Sequence, residues 1–179
     1  MPTLTGQESY ADHGRAGEIT QIGNISTLGG CMRVYQIMTP NPASCTPDST
    51  AREAALLMKE NDCGSIPVVE NLETRRLVGT VTDRDLAIRG LAAGRGPDTP
   101  IRELMTNDPI TASPEDEVEI VREVMIAQQI RRVPVVDENG AVVGIVAQAD
   151  LALEDGAASD QEVGRIVEAI SDPRRELPE

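Results

Sequence analysis

Apolar and polar positions alternate between two regimes along this chain. Dense apolar runs of four or five residues, Ile66-Pro67-Val68-Val69 and Leu77 to Val81, read as short buried strands. Between them and ahead of them the spacing turns helical. Ala51, Ala54, Ala55 and Met58 share one face of a helix that Asp48 or Ser49 can cap and that Asp62-Cys63-Gly64 ends. A short helical turn over Val34 to Met38 stops before Pro40. Pro42 to Thr46 suits a strand, and Thr82 caps a helix running to about Leu91.

The same succession then returns. Ile101 to Met105 forms the short helix and Ile110 to Ala112 the strand. Ser113-Pro114-Glu115 offers a cap with proline at the first helical position, ahead of a stripe of Val118, Val121 and Met125. Arg132 to Val136 and Val142 to Val146 flank Asp137-Glu138-Asn139-Gly140, whose Asn-Gly favours a tight hairpin. Ile37-Met38-Thr39 matches Leu104-Met105-Thr106, and Ile66-Pro67-Val68-Val69 matches Val133-Pro134-Val135-Val136, both at an offset of 67 residues. Gly79 to Asp85 matches Gly144 to Asp150 at an offset of 65, so two residues have been lost from the intervening turn. One supersecondary unit has been duplicated, and the place to look for function is between the copies.

Each copy reads strand, helix, strand, strand, helix, at a size where a lone core of roughly 50–60 residues is marginal. The expected fold class is α+β, two small sheets with their helices, each copy hiding the other's apolar face. The organisation that follows is a flexible polar leader over 1–33, repeat one over 34–92, a Gly- and Pro-rich linker over 93–100 and repeat two over 101–153. An acidic segment over 154–179 completes it. There Val163, Ile166, Val167 and Ile170 fall at helical spacing on an amphipathic helix that covers the core or a partner.

Composition narrows the function. The chain has no Phe or Trp and two Tyr, so it offers no platform for stacking bases. Its net charge of −14 repels a phosphate backbone and serves solubility, which argues against a nucleic-acid partner. No apolar run approaches the roughly 20 residues of a membrane span, and the N-terminus lacks the layout of a secretory signal; a cytoplasmic, membrane-free protein is expected. Cys31, Cys45 and Cys63 form no Cys-x-x-Cys pair, and the one histidine, His13, lies in the leader, so no metal site is expected. Cys45 and Cys63 read as buried thiols, with a Cys45–Cys63 or intermolecular disulfide left open. No Ser/His/Asp or Cys/His set and no phosphate-loop lysine is present, so no catalysis is expected.

The chemistry concentrates in Gly79-Thr80-Val81-Thr82-Asp83-Arg84-Asp85. A strand ends and a helix begins there, so free N–H groups and a positive dipole end suit an anion. Gly79 admits a close neighbour, Thr82 offers a hydroxyl, and Asp85 offers two acceptor oxygens to adjacent ribose hydroxyls. Thr82 with Asp85 equally suits a capping box that serves the helix alone. Arg131-Arg132 by itself reads as a solvated pair or as a bridge to acidic side chains. Arg84 and Arg89 read as helix-surface charges.

The Met-Thr lead-in, the Ile-Pro-Val-Val strand and the Gly-x-x-Thr-x-x-Asp ending, repeated in register from about Val34 to Leu153, resemble a tandem pair of cystathionine β-synthase (CBS) domains, or Bateman module. Within that family the chain is similar to small stand-alone bacterial proteins of the hypoxic-response type. The resemblance implies two β-α-β-β-α repeats about a pseudo-two-fold axis, with two clefts that take adenine compounds such as AMP, ATP or S-adenosylmethionine. It places Asp85 on the ribose hydroxyls and Thr82 near ribose or phosphate. It puts Ser44, Cys45 and Thr46 with Ile66 and Pro67 beside the base, and Arg131 and Arg132 on phosphate. Ala147 stands where the second motif needs a hydroxyl, so the cleft at Ala147 and Asp150 is expected to be degraded. The resemblance implies a regulatory module with an adenine nucleotide as ligand, no required cofactor, and a homodimeric state. The competing account is a ligand-free module for dimerisation or for an unidentified protein partner.

Overall fold

The computed structural model describes residues 32–154 and Gly164. The leader up to residue 31, with His13 and Cys31, and the stripe from Val163 to Ile170 lie outside the described residues. Two three-stranded sheets form the framework. In one, β2 (Ser65–Val69) pairs antiparallel with β3 (Leu77–Thr82), and β3 with β4 (Thr106–Asn107). In the other, β5 (Arg132–Val136) pairs with β6 (Val142–Ala147), and β6 with β1 (Thr39–Pro40).

The two-residue strands are exchanged. β1 opens repeat one yet completes the sheet of repeat two, and β4 opens repeat two yet completes the sheet of repeat one. The lead-in turns follow them. Val34, from α1 (Val34–Ile37), is buried among Val121, Met125, Val133 and Leu151 of repeat two. Ile101, from the 3₁₀ turn Ile101–Glu103, is buried among Cys45, Ala54, Ile66 and Val81 of repeat one. Backbone hydrogen bonds repeat the pattern: Val34 N–H donates to Asp116 O and Val118 N–H to Met32 O, while Ile101 N–H donates to Ser49 O and Ala51 N–H to Thr99 O. The segment 97–100 is therefore bonded to the start of the helix α2 (Ala51–Glu60).

This exchange corrects the expected order within a repeat. Pro42 to Thr46 and Ile110 to Ala112 are not strands; each makes one parallel bridge, Cys45 to Val68 and Ala112 to Val135. The ladder-forming strand lies a few residues earlier, on the other sheet. The cap of α2 is Thr50, whose hydroxyl accepts from Glu53 N–H while Glu53 Oε2 accepts from Thr50 N–H, a reciprocal box. In repeat two, Ser113-Pro114-Glu115 forms a turn, and α4 (Val118–Gln128) starts after Glu117. That start matches Ala51 at the 67-residue offset, so tertiary packing rather than the Ser-Pro signal sets it. The helix expected from Thr82 to Leu91 splits into a short α3 (Asp83–Asp85), a π-helical turn Leu86–Gly90 and a 3₁₀ turn Leu91–Ala93. Its counterpart α5 (Gln148–Glu154) is one helix.

The hairpin tips close the pair. Leu77 N–H donates to Gly140 O and Val142 N–H to Arg75 O, and Val69, Val136 and Val142 form a small shared core there. Even the left-handed positions are duplicated: Asn41 with Asp108, Asp62 with Gln129, and Arg75 with Gly140.

Cys45 and Cys63 are free. Burial raises the Cys45 thiol to a pKa of about 11, the direction expected when an anion would have to form without water.

Candidate functional site, a cavity between the repeats

A cavity of about 610 Å³ opens where β3 runs into α3. Volumes of this order hold small organic ligands. Repeat one contributes Ser65, Thr80, Thr82, Asp83, Arg84 and Asp85; repeat two contributes Thr106, Asp108, Pro109, Ile110, Gln129, Ile130, Arg131, Arg132 and Pro134. The exchanged β4 carries Thr106 and delivers Asp108 to Ile110 to this wall. Asp108 and Gln129, both in left-handed backbone conformation, are among the lining residues. Strained backbone of this kind gathers at ligand clamps.

Thr82 and Asp85 make the reciprocal cap in full. Thr82 N–H and Thr82 Oγ1 donate to Asp85 Oδ2 at 3.0 and 2.6 Å, and Asp85 N–H donates to Thr82 Oγ1 at 3.1 Å. Asp85 Oδ1 faces Arg89 Nε at 3.4 Å. The hydroxyl proton of Thr82 is thus committed. What remains for an occupant is one acceptor lone pair on Thr82 and the spare lone pairs of Asp85.

The positive side of the cavity is different. Arg84, Arg131 and Arg132 line it, and their guanidinium groups make no hydrogen bond or ion pair among the described residues. A Cβ placed on Gly64 would come 2.9 Å from Asp83 Oδ2 and would touch Arg132 Nη2 at an ordinary 3.5 Å, so a side chain there would crowd Asp83.

Of the residues grouped by sequence, the structure brings together Thr82, Asp85, Arg131 and Arg132. Ser44, Cys45, Thr46, Ile66 and Pro67 do not line this cavity. Cys45 and Ile66 are buried in the core of repeat one, Pro67 pairs with Thr80 in the ladder, and Thr46 N–H donates to Ser49 Oγ. Ser44 Oγ accepts from Arg75 Nη2 at 3.3 Å. The strand exchange is the physical reason, because it sets the lead-in of repeat two, not of repeat one, beside Thr82. Pro134, the offset partner of Pro67, does line the cavity. The signal was present in the sequence as the repeat itself.

The counterpart positions in the other half are poorer than Ala147 alone suggests. Asp150 Oδ2 accepts from Ala147 N–H at 2.7 Å, half of the reciprocal cap. At the repeat offsets, Ala149 replaces Arg84, Gly64 replaces Arg131 and Ser65 replaces Arg132, so all three guanidiniums are missing.

Arg89 is exposed, as its sequence position suggests, and its guanidinium also reaches the backbone of repeat two. Arg89 Nη1 donates to Leu104 O and Met105 O, each at 2.9 Å, and lies 3.3 Å from Thr106 Oγ1.

Comparison with known proteins agrees with the duplicated fold. The sequence profile of the CBS domain matches residues 34–90 and 101–155, two copies that span the described structure. The chain belongs to the CBS domain family. The CBS domain-containing protein YhcV of Bacillus subtilis is 41% identical over 138 residues, covering 77% of this chain and 94% of that protein. Hypoxic response protein 1 of Mycobacterium tuberculosis is 36% identical over 125 residues, covering 69% and 83%. A crystal structure of Hypoxic Response Protein I with two coordinated zinc ions superposes with a TM-score of 0.61 at 35% identity, over 68% of this chain and 98% of that one. The CBS pair of protein MJ0100, solved in complex with 5′-methylthioadenosine and S-adenosyl-L-methionine, gives a TM-score of 0.64 at 31% identity, over 71% and 98%. Among the described residues of this CBS pair, no group of three or more His, Cys, Asp or Glu is placed to hold a metal ion. No described helix is long and apolar enough to cross a membrane.

Proposed function

We propose that this CBS pair is a non-catalytic regulatory module that binds one adenine nucleotide of the AMP or ATP kind in the cavity between its repeats. The observation that carries the reading is the set of three arginines that line one cavity with no ion pair among the described residues, in a chain with 30 acidic and 16 basic side chains. Arginines in such surroundings are normally drawn into ion pairs, and a forked grip on phosphate is what an unengaged guanidinium does well. Pro109, Ile110, Ile130 and Pro134 supply an apolar wall for a base, and the remaining lone pairs of Asp85 and Thr82 suit ribose hydroxyls. The adenosine compounds held by the CBS pair of MJ0100 support the same ligand class. A ligand acts by favouring one arrangement of the repeats over another.

Titration calorimetry with AMP, ATP, NAD and S-adenosylmethionine tests this, on protein freed of carried-over ligand. Asp85→Ala is expected to weaken binding at least tenfold, roughly 1.4 kcal/mol. Asp150→Ala is expected to change it much less. Equal binding by both variants and the parent would move the site elsewhere, and silence from every nucleotide would leave the partner-binding account.

An apolar groove of about 640 Å³ between α2 and the turn Leu86–Gly90 supports the homodimeric state that accompanies this reading. Leu56, Ala87 and Leu91 line it, and Leu91 is 75% exposed. Exposed apolar surface of this kind marks a contact. Leu91→Asp is expected to turn a dimer into a monomer in sedimentation, and a variant that sediments like a dimeric parent would remove the groove from the contact.

A further inference from the structure

We infer that Arg89 is a positioning residue that ties the carboxylate of Asp85 to the lead-in of repeat two, so that an occupant on Asp85 acts on residues 104–107. The ligand part of this inference rests on the nucleotide reading above; the tie itself does not.

Asp85 has one oxygen that Thr82 leaves untouched, Oδ1, and that oxygen faces Arg89 Nε at 3.4 Å. The other end of the same guanidinium holds Leu104 O and Met105 O at 2.9 Å each. These carbonyls end the 3₁₀ turn Ile101–Glu103, where a helical turn leaves its acceptors without internal donors. The next two residues are β4: Thr106 pairs with Thr80, and Asn107 with Gly79. Thr106 then lines the cavity that contains Asp85. Carboxylate, guanidinium, carbonyls and exchanged strand thus form a closed circuit around one wall of the site. Arg89 sits inside the π-helical turn Leu86–Gly90, and such wide turns recur at functional places in helices.

The sequence of the other half lacks the arginine that this circuit needs. At the 65-residue offset from Arg89 the sequence has Glu154, and a carboxylate has no proton to give a carbonyl. The half that keeps the three cavity arginines is the half that keeps the tie. A sugar hydroxyl that donates to Asp85 Oδ1 competes with Arg89 Nε for the same lone pairs. Weakening that hold loosens or shifts the guanidinium on Leu104 and Met105.

Hydrogen exchange on the full chain, read at the amides of 104–107, tests the tie with and without AMP. Arg89→Ala is expected to raise exchange there about tenfold, the scale of losing hydrogen bonds to a charged donor. Arg89→Lys, which keeps the charge and one donor group, is expected to recover part of it. Asp85→Asn, which keeps the fold of the cap but not the charge, is expected to raise exchange at the same amides. AMP is expected to alter exchange at 104–107 in the parent and not in Arg89→Ala, in a titration where both bind it. Parent-like exchange in Arg89→Ala, or an AMP response in that variant equal to the parent's, overturns the inference. If neither AMP nor any of the other nucleotides titrated above binds either protein the nucleotide reading fails, and the ligand-free exchange of Arg89→Ala and Asp85→Asn alone decides for or against the tie.

Discussion

Ile101→Ala is expected to lower the unfolding free energy by about 2–5 kcal/mol, the usual range when a large aliphatic side chain is cut from a full core. The expectation rests on where Ile101 sits, not on its place in the sequence. It opens repeat two, yet it is fully buried with Cys45, Ala54, Ile66 and Val81 in repeat one. The cavity it leaves is in the half that the residue does not belong to by sequence. Chemical denaturation followed by circular dichroism checks the magnitude. Exchange at the β2 and β3 amides checks the location, because opening is expected to rise in repeat one at least as much as in repeat two. A loss confined to repeat two would contradict the exchanged packing.

Gly79→Ala is expected to cost about 1–3 kcal/mol, the scale of overpacking a tight site. A Cβ at Gly79 would lie 2.8 Å from the carbonyl oxygen of Thr106 and 3.0 Å from Met105 Sδ. The first of these is backbone, so β4 must move away from β3. At Gly144 the same addition meets the side chain of Met38, whose flexible end can swing aside. Gly144→Ala is therefore expected to cost less than Gly79→Ala, and paired thermal melts of the two variants give the comparison directly. The ranking reverses only if the Met38 contact is the stiffer one.

These glycines show what the sequence disclosed. The repeat, the strands at 66–69 and 77–81 and the α+β class were legible, because apolar periodicity and a constant offset are local properties. The close neighbour that Gly79 was expected to admit is, in the structure, Met105 and Thr106 of the other repeat. The Met-Thr lead-in and the glycine are two sides of one contact. Nothing local could reveal that, since a two-residue strand such as Thr39–Pro40 carries no period that names its partner sheet. The same gap explains the candidate site. Thr82, Asp85, Arg131 and Arg132 line one cavity, while Ser44–Thr46 and Ile66-Pro67, which the family resemblance set beside the base, do not line it. The exchange brings Asp108–Ile110 to that cavity, where Pro134 also lines the wall. Arg89 was illegible for a related reason: its acceptors are fifteen and sixteen residues away, and only the tertiary fold turns a helix-surface position toward them.

Because each half borrows its opening turn from its neighbour, neither could stand as an independent folding unit. A gene fragment encoding just one copy would yield a chain with a vacant socket and a loose plug of matching shape. Two such molecules could complete one another head to head, and the present polypeptide is that reciprocal embrace written as a single covalent string.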